Sequence, residues 1–263
     1  MEYTTLLISS LGLYISTAFI LFFSKANNKK LASFTLVTGL ISHASLIYVT
    51  TISNNINLNF ANSLLLLSWV TVFFYYLINR KMQFIGLENL TLTPAILIIL
   101  CHPILRNNQY LEIQTSINSI VHIIIAICSY SLLTIGAIFS IFILLFEKNL
   151  TKNDINKENL TSNFSLLKME DILFKIYWLG FVLLSVTLFS GFLFANDIFG
   201  SSLVWNHKTI FSSMAWVAYG AMLIGRIQYG WRGKKAVVIS LIALMLLLLS
   251  YFGTKFVLEI LLN

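Results

Sequence analysis

INSIVHIIIAICSYSLLTIGAIFSIFILLF, residues 117–146, runs for thirty positions without an aspartate, glutamate, lysine or arginine. About twenty predominantly apolar residues suffice to cross the hydrocarbon of a bilayer as a helix. A helix is required there, because an open sheet edge finds no water to bond. The stretch is therefore read as a transmembrane helix, and at about 1.5 Å per residue it is long enough to tilt or to project past the bilayer. Seven further apolar stretches accompany it, at 3–23, 31–51, 62–79, 82–101, 172–195, 207–228 and 236–258. The expected fold is all-α: a polytopic membrane helix bundle of about eight transmembrane helices, forming a single membrane domain over 1–263. Composition agrees, with 58 % hydrophobic and 10 % charged residues, where soluble domains carry about 25 % charged.

Two stretches need comment. The first begins Met1-Glu2-Tyr3, without a positive leading region or an A-x-A site, and is read as a retained helix rather than a signal peptide. The fourth contains Glu88, Asn89 and Pro94, so a kinked or partly re-entrant segment is expected.

The formal net charge of +7 could suggest nucleic acid, but its placement excludes that reading. With both termini outside, the inner side receives Lys25, Lys29, Lys30, Arg80, Lys81, Lys148, Lys152, Lys157, Lys168, Lys175, Arg226, Arg232, Lys234 and Lys235. The outer side receives Arg106, Lys208 and Lys255. That asymmetry is the positive-inside pattern of a multi-pass protein, expected in the bacterial plasma membrane with lipid around it. The one long polar segment, EKNLTKNDINKENLTSNFSLLKMED at 147–171, then becomes a cytoplasmic connector, partly helical near its end. Cys101 and Cys128 are not in a C-x-x-C pair and read as small apolar residues rather than a disulfide.

Ionisable groups within or beside a membrane span are the candidates for function. His102 ends the fourth span, His122 lies in the outer turns of the fifth, His207 sits in the outer connector and His43 in the second span. Helical spacing puts Ala126, Ser129, Gly136 and Ser140 on the face of His122, and Gly39 and Thr50 on that of His43. Small residues on one stripe mark a packed face, so both imidazoles should point into the bundle. Each then makes an interhelical hydrogen bond, or ligates a metal through a neutral ring, with haem iron as the expected metal. No H-E-x-x-H, Cys/His cluster, P-loop or paired intramembrane carboxylates accompany them, so hydrolytic chemistry has no seat and an enzyme is not expected. A small-molecule transporter is disfavoured too, since only the Pro94 region looks broken and no inverted repeat is visible. In LVWNHKTIFSSMAW (203–216), Trp205 suits an interfacial belt, while Lys208 is an outer cation able to pair with an anion.

Three stretches resemble the cytochrome c assembly family of haem-handling membrane proteins (the CcsA/CcmC/CcmF group), and most closely its YpjD/HemX-like branch. They are W-x-x-Y-G-x(5)-R-I-Q-Y-G-W-R-G-K-K-A at 216–236 with SYFGTKF at 250–256, VHIIIAICSYSLLTIGAIFSI at 121–141, and NFANSLLLLSW at 59–69, where Asn62 replaces a usual glutamate. In haem-handling members an outer tryptophan-rich segment ending W-D-P-K-E presents haem between flanking histidines. The resemblance places Trp205 on the tryptophan, Lys208 on the lysine and His122 on the first flanking histidine, while Asn206, His207 and Thr209 replace Asp, Pro and Glu. The second flanking histidine is missing from TKFVLEILLN, and Ile224 or Gly225 stands where the synthetases keep a membrane histidine before Arg226. His207 could substitute as a ligand, or His43 could pair with His122. The resemblance thus implies a haem-binding protein of cytochrome c assembly or outer-face haem delivery. It would at most be an accessory to haem ligation, with other maturation proteins as partners. The alternative is a cofactor-free regulator or scaffold acting on a tetrapyrrole-synthesis enzyme through the cytoplasmic loop.

Overall fold

The computed structural model describes residues 2–24, 28–52, 57–82, 86–106, 117–151, 166–193 and 206–261. These residues are helical throughout apart from turns and short joints, and eight helices are long and apolar enough to cross a membrane. They are α1 (Glu2–Ser24), α2 (Lys29–Ile47), α3 (Phe60–Met82), α4 (Leu87–Leu105), α5 (Ile117–Thr151), α6 (Leu166–Leu193), α7 (His207–Tyr229) and α8 (Lys234–Leu248). Helix α2 continues in π-helical turns at Tyr48–Ile52, and α8 continues through Leu249–Gly253, Thr254–Phe256 and Val257–Leu261. The protein is a multi-pass membrane protein of all-α fold.

Three expected boundaries move by five residues or more. The fourth span starts at Leu87 because Gly86, at φ 100°, turns the chain in a left-handed conformation, which glycine adopts without a Cβ penalty. Glu88 therefore stands in the first helical turn, where a carboxylate suits the positive end of the helix, and is buried against the Tyr75 hydroxyl at 3.4 Å. The chain stays helical through both Pro94 and Pro103, so no re-entrant break occurs. Helices α5 and α6 reach Thr151 and Leu166, which makes both ends of the 147–171 segment helical and leaves 152–165 outside the described residues. Cys101 and Cys128 are free and half-buried.

The chain forms two compact units, residues 1–115 with 255–263, and residues 116–254. In the first, α1 packs on α2 and α4, and α3 on α4. Its interior seam is polar: Tyr14 bonds His43, Thr17 bonds Thr35 at 2.8 Å, and the Trp69 indole donates to the Leu40 carbonyl at 2.9 Å. Gly39 lets α1 and α2 meet, since a Cβ there would lie 2.8 Å from the Tyr14 ring.

In the second unit, α5 lies along α6, and α7 along α8. The small-residue face expected on α5 makes the first of these contacts. Ser129 donates to the Gly180 carbonyl at 3.1 Å, and a Cβ on Gly136 would lie 2.7 Å from the Tyr177 ring. The α7–α8 turn closes with Gly230 and Gly233 at positive φ. Trp231 folds back over Gly225, its amide donating to the Gly225 carbonyl at 3.1 Å, and Lys235 Nζ sits 3.7 Å from the Trp231 ring centre. A Cβ on Gly225 would fall 2.2 Å from that ring. At 225, one of the two positions matching the synthetases' membrane histidine, a side chain would collide with that ring, whereas Ile224 is exposed.

Gly225→Ala is expected to lower stability by about 1–3 kcal/mol, the usual cost of overpacking, and Gly12→Ala, with nothing within 4 Å of the added carbon, to be neutral. Thermal unfolding of the two variants in detergent checks the difference.

Candidate functional site

The second unit brings α5 and α6 together at the end of each helix that is poor in lysine and arginine. His122 is one turn into α5, and Ser190 one turn from the end of α6. Their contact, His122 Nδ1 to Ser190 Oγ, measures 2.9 Å. Ser190 has one proton, and it goes to the Thr187 carbonyl at 3.0 Å. In that arrangement the serine oxygen accepts from His122 Nδ1–H and the ring's lone pair is on Nε2. Gly191 completes the cradle, because a Cβ there would stand 3.2 Å from His122 Cε1. The ring is half-buried, and among the described residues no group bonds Nε2. A neutral imidazole held at one nitrogen and open at the other is the arrangement that metal-ligating histidines use.

His207 and Lys208 were expected in a connector, and the structure places them in the first turn of α7. Asn206 caps that helix: its side-chain oxygen accepts from the Thr209 amide at 3.0 Å and the Thr209 hydroxyl at 3.1 Å. His207 is exposed and Lys208 half-buried. The Lys208 carbonyl accepts from Ser212 at 2.7 Å and from Ser250 at 2.8 Å, tying the start of α7 to the helix that follows α8. A helix start with a lysine in its first turn favours a negatively charged group. Trp205 lies outside the described residues.

His43 belongs to the first unit. It is 0 % exposed, with Nδ1 3.1 Å from the Tyr14 hydroxyl and Nε2 without a hydrogen-bond partner. Both His43 and His122 thus make the single interhelical bond that the simpler reading foresaw, and each keeps a second nitrogen. His102 differs. Asn62 Nδ2 donates to the carbonyls of Thr50 (3.0 Å) and Asn57 (2.9 Å), so Oδ1 is the accepting atom toward His102 Nε2 at 3.1 Å. Nδ1 then accepts from the Tyr3 hydroxyl at 2.8 Å, and Arg106 lies over the Tyr3 ring. With both nitrogens engaged and 1 % exposure, His102 is a structural hub rather than a ligand.

Haem is the group these residues were expected to hold, and they differ in their suitability for it. His122 would suit the role of a haem-iron ligand, with Nδ1 held by Ser190 and Nε2 open. His43 fits by an orphaned nitrogen, although fully enclosed. His102 does not fit. Among the described residues no cluster of three or more His, Cys, Asp or Glu could hold a bare metal ion.

Sequence comparison agrees with the resemblance. The Cytochrome C assembly protein family matches residues 57–262. This chain belongs to that family of membrane proteins. Among similar proteins are two named cytochrome c biogenesis protein CcsA from strains of Prochlorococcus marinus. One is 26 % identical, covering 75 % of this chain and 72 % of its own length. The other is 24 % identical, covering 89 % and 84 %. A CcsA of Mesostigma viride is 26 % identical over 75 % of this chain and 73 % of its own.

Sequence reasoning missed Ser190 and Gly191, which hold His122, and Asn62 and Tyr3, which hold His102. Ser190→Ala is expected to release the His122 tautomer, seen as a shift from Nδ1–H toward Nε2–H in ¹⁵N spectra of histidine-labelled protein; unchanged spectra would remove Ser190 from this account. Asn62→Ala leaves an imidazole N–H and two carbonyls unmatched, and each unsatisfied buried group costs about 1–3 kcal/mol. A fall in the unfolding temperature larger than that of Asn118→Ala, near the exposed start of α5, is the expected result.

Proposed function

We propose that this chain binds haem at the Lys/Arg-poor ends of its helices and takes part in cytochrome c assembly or haem delivery at the outer face of a bacterial plasma membrane. The observation that carries the reading is the 2.9 Å contact of His122 Nδ1 with Ser190, which holds the ring by one nitrogen and leaves Nε2 without a partner among the described residues. Family membership and the cytochrome c biogenesis named for the CcsA relatives support it.

When bound, haem iron supplies a Lewis-acidic centre that a neutral imidazole ligates. The protein's contribution is positional. Ser190 and Gly191 orient the His122 ring, and Thr187 fixes the serine proton. Lys208 and the start of α7 attract a propionate, with His207 one residue earlier and Trp205 offering an aromatic face. His207 is the second ligand in this arrangement, and His43 is the alternative. No residue set for forming a thioether accompanies them, so the chain handles haem for other maturation proteins rather than completing the bond itself. The competing proposal is a cofactor-free regulator or scaffold, HemX-like, acting on a tetrapyrrole-synthesis enzyme through the 147–171 connector.

Haem quantification and reduced-minus-oxidised spectra of detergent-purified protein test it, beside His122→Ala, His207→Ala and His43→Ala. A stoichiometric low-spin spectrum abolished by His122→Ala is expected. Joint loss in His207→Ala puts the second ligand on α7, and loss in His43→Ala puts it on α2. A colourless protein, even when expressed with excess haem, would overturn the ligand assignments and favour the regulator.

A further inference from the structure

Toward the Lys/Arg-rich end of the second unit, three buried polar atoms have no hydrogen-bond partner: Glu170 Oε2, the Tyr177 hydroxyl and Arg226 Nη1. Glu170 and Tyr177 lie about two turns apart on one face of α6. Both line a small cavity, together with Ser140 of α5 and with Gly233, Ala236 and Val237 at the start of α8. The cavity measures about 10 Å³. A water molecule needs roughly 10–15 Å³ for its centre and two to four polar partners. There is thus room for one water and for nothing larger.

The neighbouring side chains do not meet these needs themselves. Ser140 and Ser240 stand by the Tyr177 hydroxyl. Each has one proton, spent on the Ala137 carbonyl at 2.8 Å and the Val237 carbonyl at 2.9 Å, so neither donates to the phenol. Glu170 cannot draw on Arg226 directly either. The guanidinium rests over the Phe174 ring, 4.6 Å from its centre, with Nη1 3.8 Å from Glu170 Oε2. That exceeds the roughly 2.7–3.2 Å of an N–H···O bond. The two charges are matched without being hydrogen-bonded, and this selects the occupant. The carboxylate repels an anion, the guanidinium already balances the charge a cation would bring, and a neutral molecule remains.

We propose that one ordered water is built into the second unit at this cavity, accepting from the Tyr177 hydroxyl and donating to the Glu170 carboxylate and the Ser140 oxygen. It gives the buried carboxylate the donor that Arg226, held on Phe174, does not supply. It also joins α5 to α6 by a polar bridge where the start of α8 closes over both. The site shares no residue with His122, His43 or His207, so it stands apart from the haem reading.

X-ray radiolytic footprinting of the full-length, detergent-purified protein tests this. A hydroxyl radical formed from a bound water oxidises the side chains around it, however little they meet bulk solvent. Tyr177 and Tyr75 are each 1 % exposed, and the Tyr75 hydroxyl is already bonded to Glu88 and Asn79. Tyr177 is expected to be oxidised several-fold faster than Tyr75, as read by mass spectrometry of the peptides. Ala236→Val, which adds methyl groups to the cavity wall, should bring Tyr177 down to the Tyr75 rate in a protein of unchanged circular dichroism. Equal rates in the unaltered protein would overturn the proposal and assign the Tyr177 hydroxyl to one of the two serines. Fast labelling that survives in folded Ala236→Val would overturn it as well, by making bulk solvent the source of the radical. The comparison of Tyr177 with Tyr75 needs no variant, so the proposal can fail even where Ala236→Val does not fold.

Discussion

A hydroxyl or imidazole facing hydrocarbon has no water to turn to, and that constraint organises both units of this protein. Many buried polar side chains sit where a helix backbone or a neighbouring helix can answer them. Tyr14 meets His43, Thr17 meets Thr35, Ser129 reaches the Gly180 carbonyl, and Asn62 answers three groups at once. Because lipid offers no apolar contrast between helices, association rests on close fit and on such bonds. Gly39 and Gly136 supply the closeness, each with an aromatic ring where its side chain would be.

The same constraint separates ligands from scaffold. An imidazole with both nitrogens answered, as in His102, can only hold helices together. One answered at a single nitrogen keeps a donor or a lone pair for something else, and at His122 the serine beneath it decides which. Reading proton positions through the partners' own obligations is what gives these three histidines different roles, although their residue type and general placement are alike.

Helix number and extent were legible in the chain because twenty uncharged residues leave few alternatives. The errors sit where hydropathy is blind. Residues 82–86 are mostly apolar and continue the pattern of α3, so the start of α4 is set by the backbone of Gly86 and not by polarity. The stripe of small residues below His122 correctly marked the face that packs on α6. Ser190 itself was invisible, being 68 positions away and of an ordinary type for a membrane helix. The start of α7 did carry a readable signal, since Asn206 followed at the third helical position by Thr209 is a capping pattern. The run of Asn57, Asn59 and Asn62 before and in the first turn of α3 was a similar signal that passed unread.

That run bears on how the molecule is put together. Helix α2 ends in wide π turns whose carbonyls at Thr50 and Thr51 are taken by Asn62 Nδ2 and the Asn57 amide. Asn59 caps α3 through the Asn62 amide at 2.8 Å, so one short segment finishes α2 and begins α3. A chain laid into a membrane one helix at a time arrives at Ile52 with a helix end still unanswered. The smallest piece that leaves no such debt is the α2–α3 hairpin, rather than either helix alone.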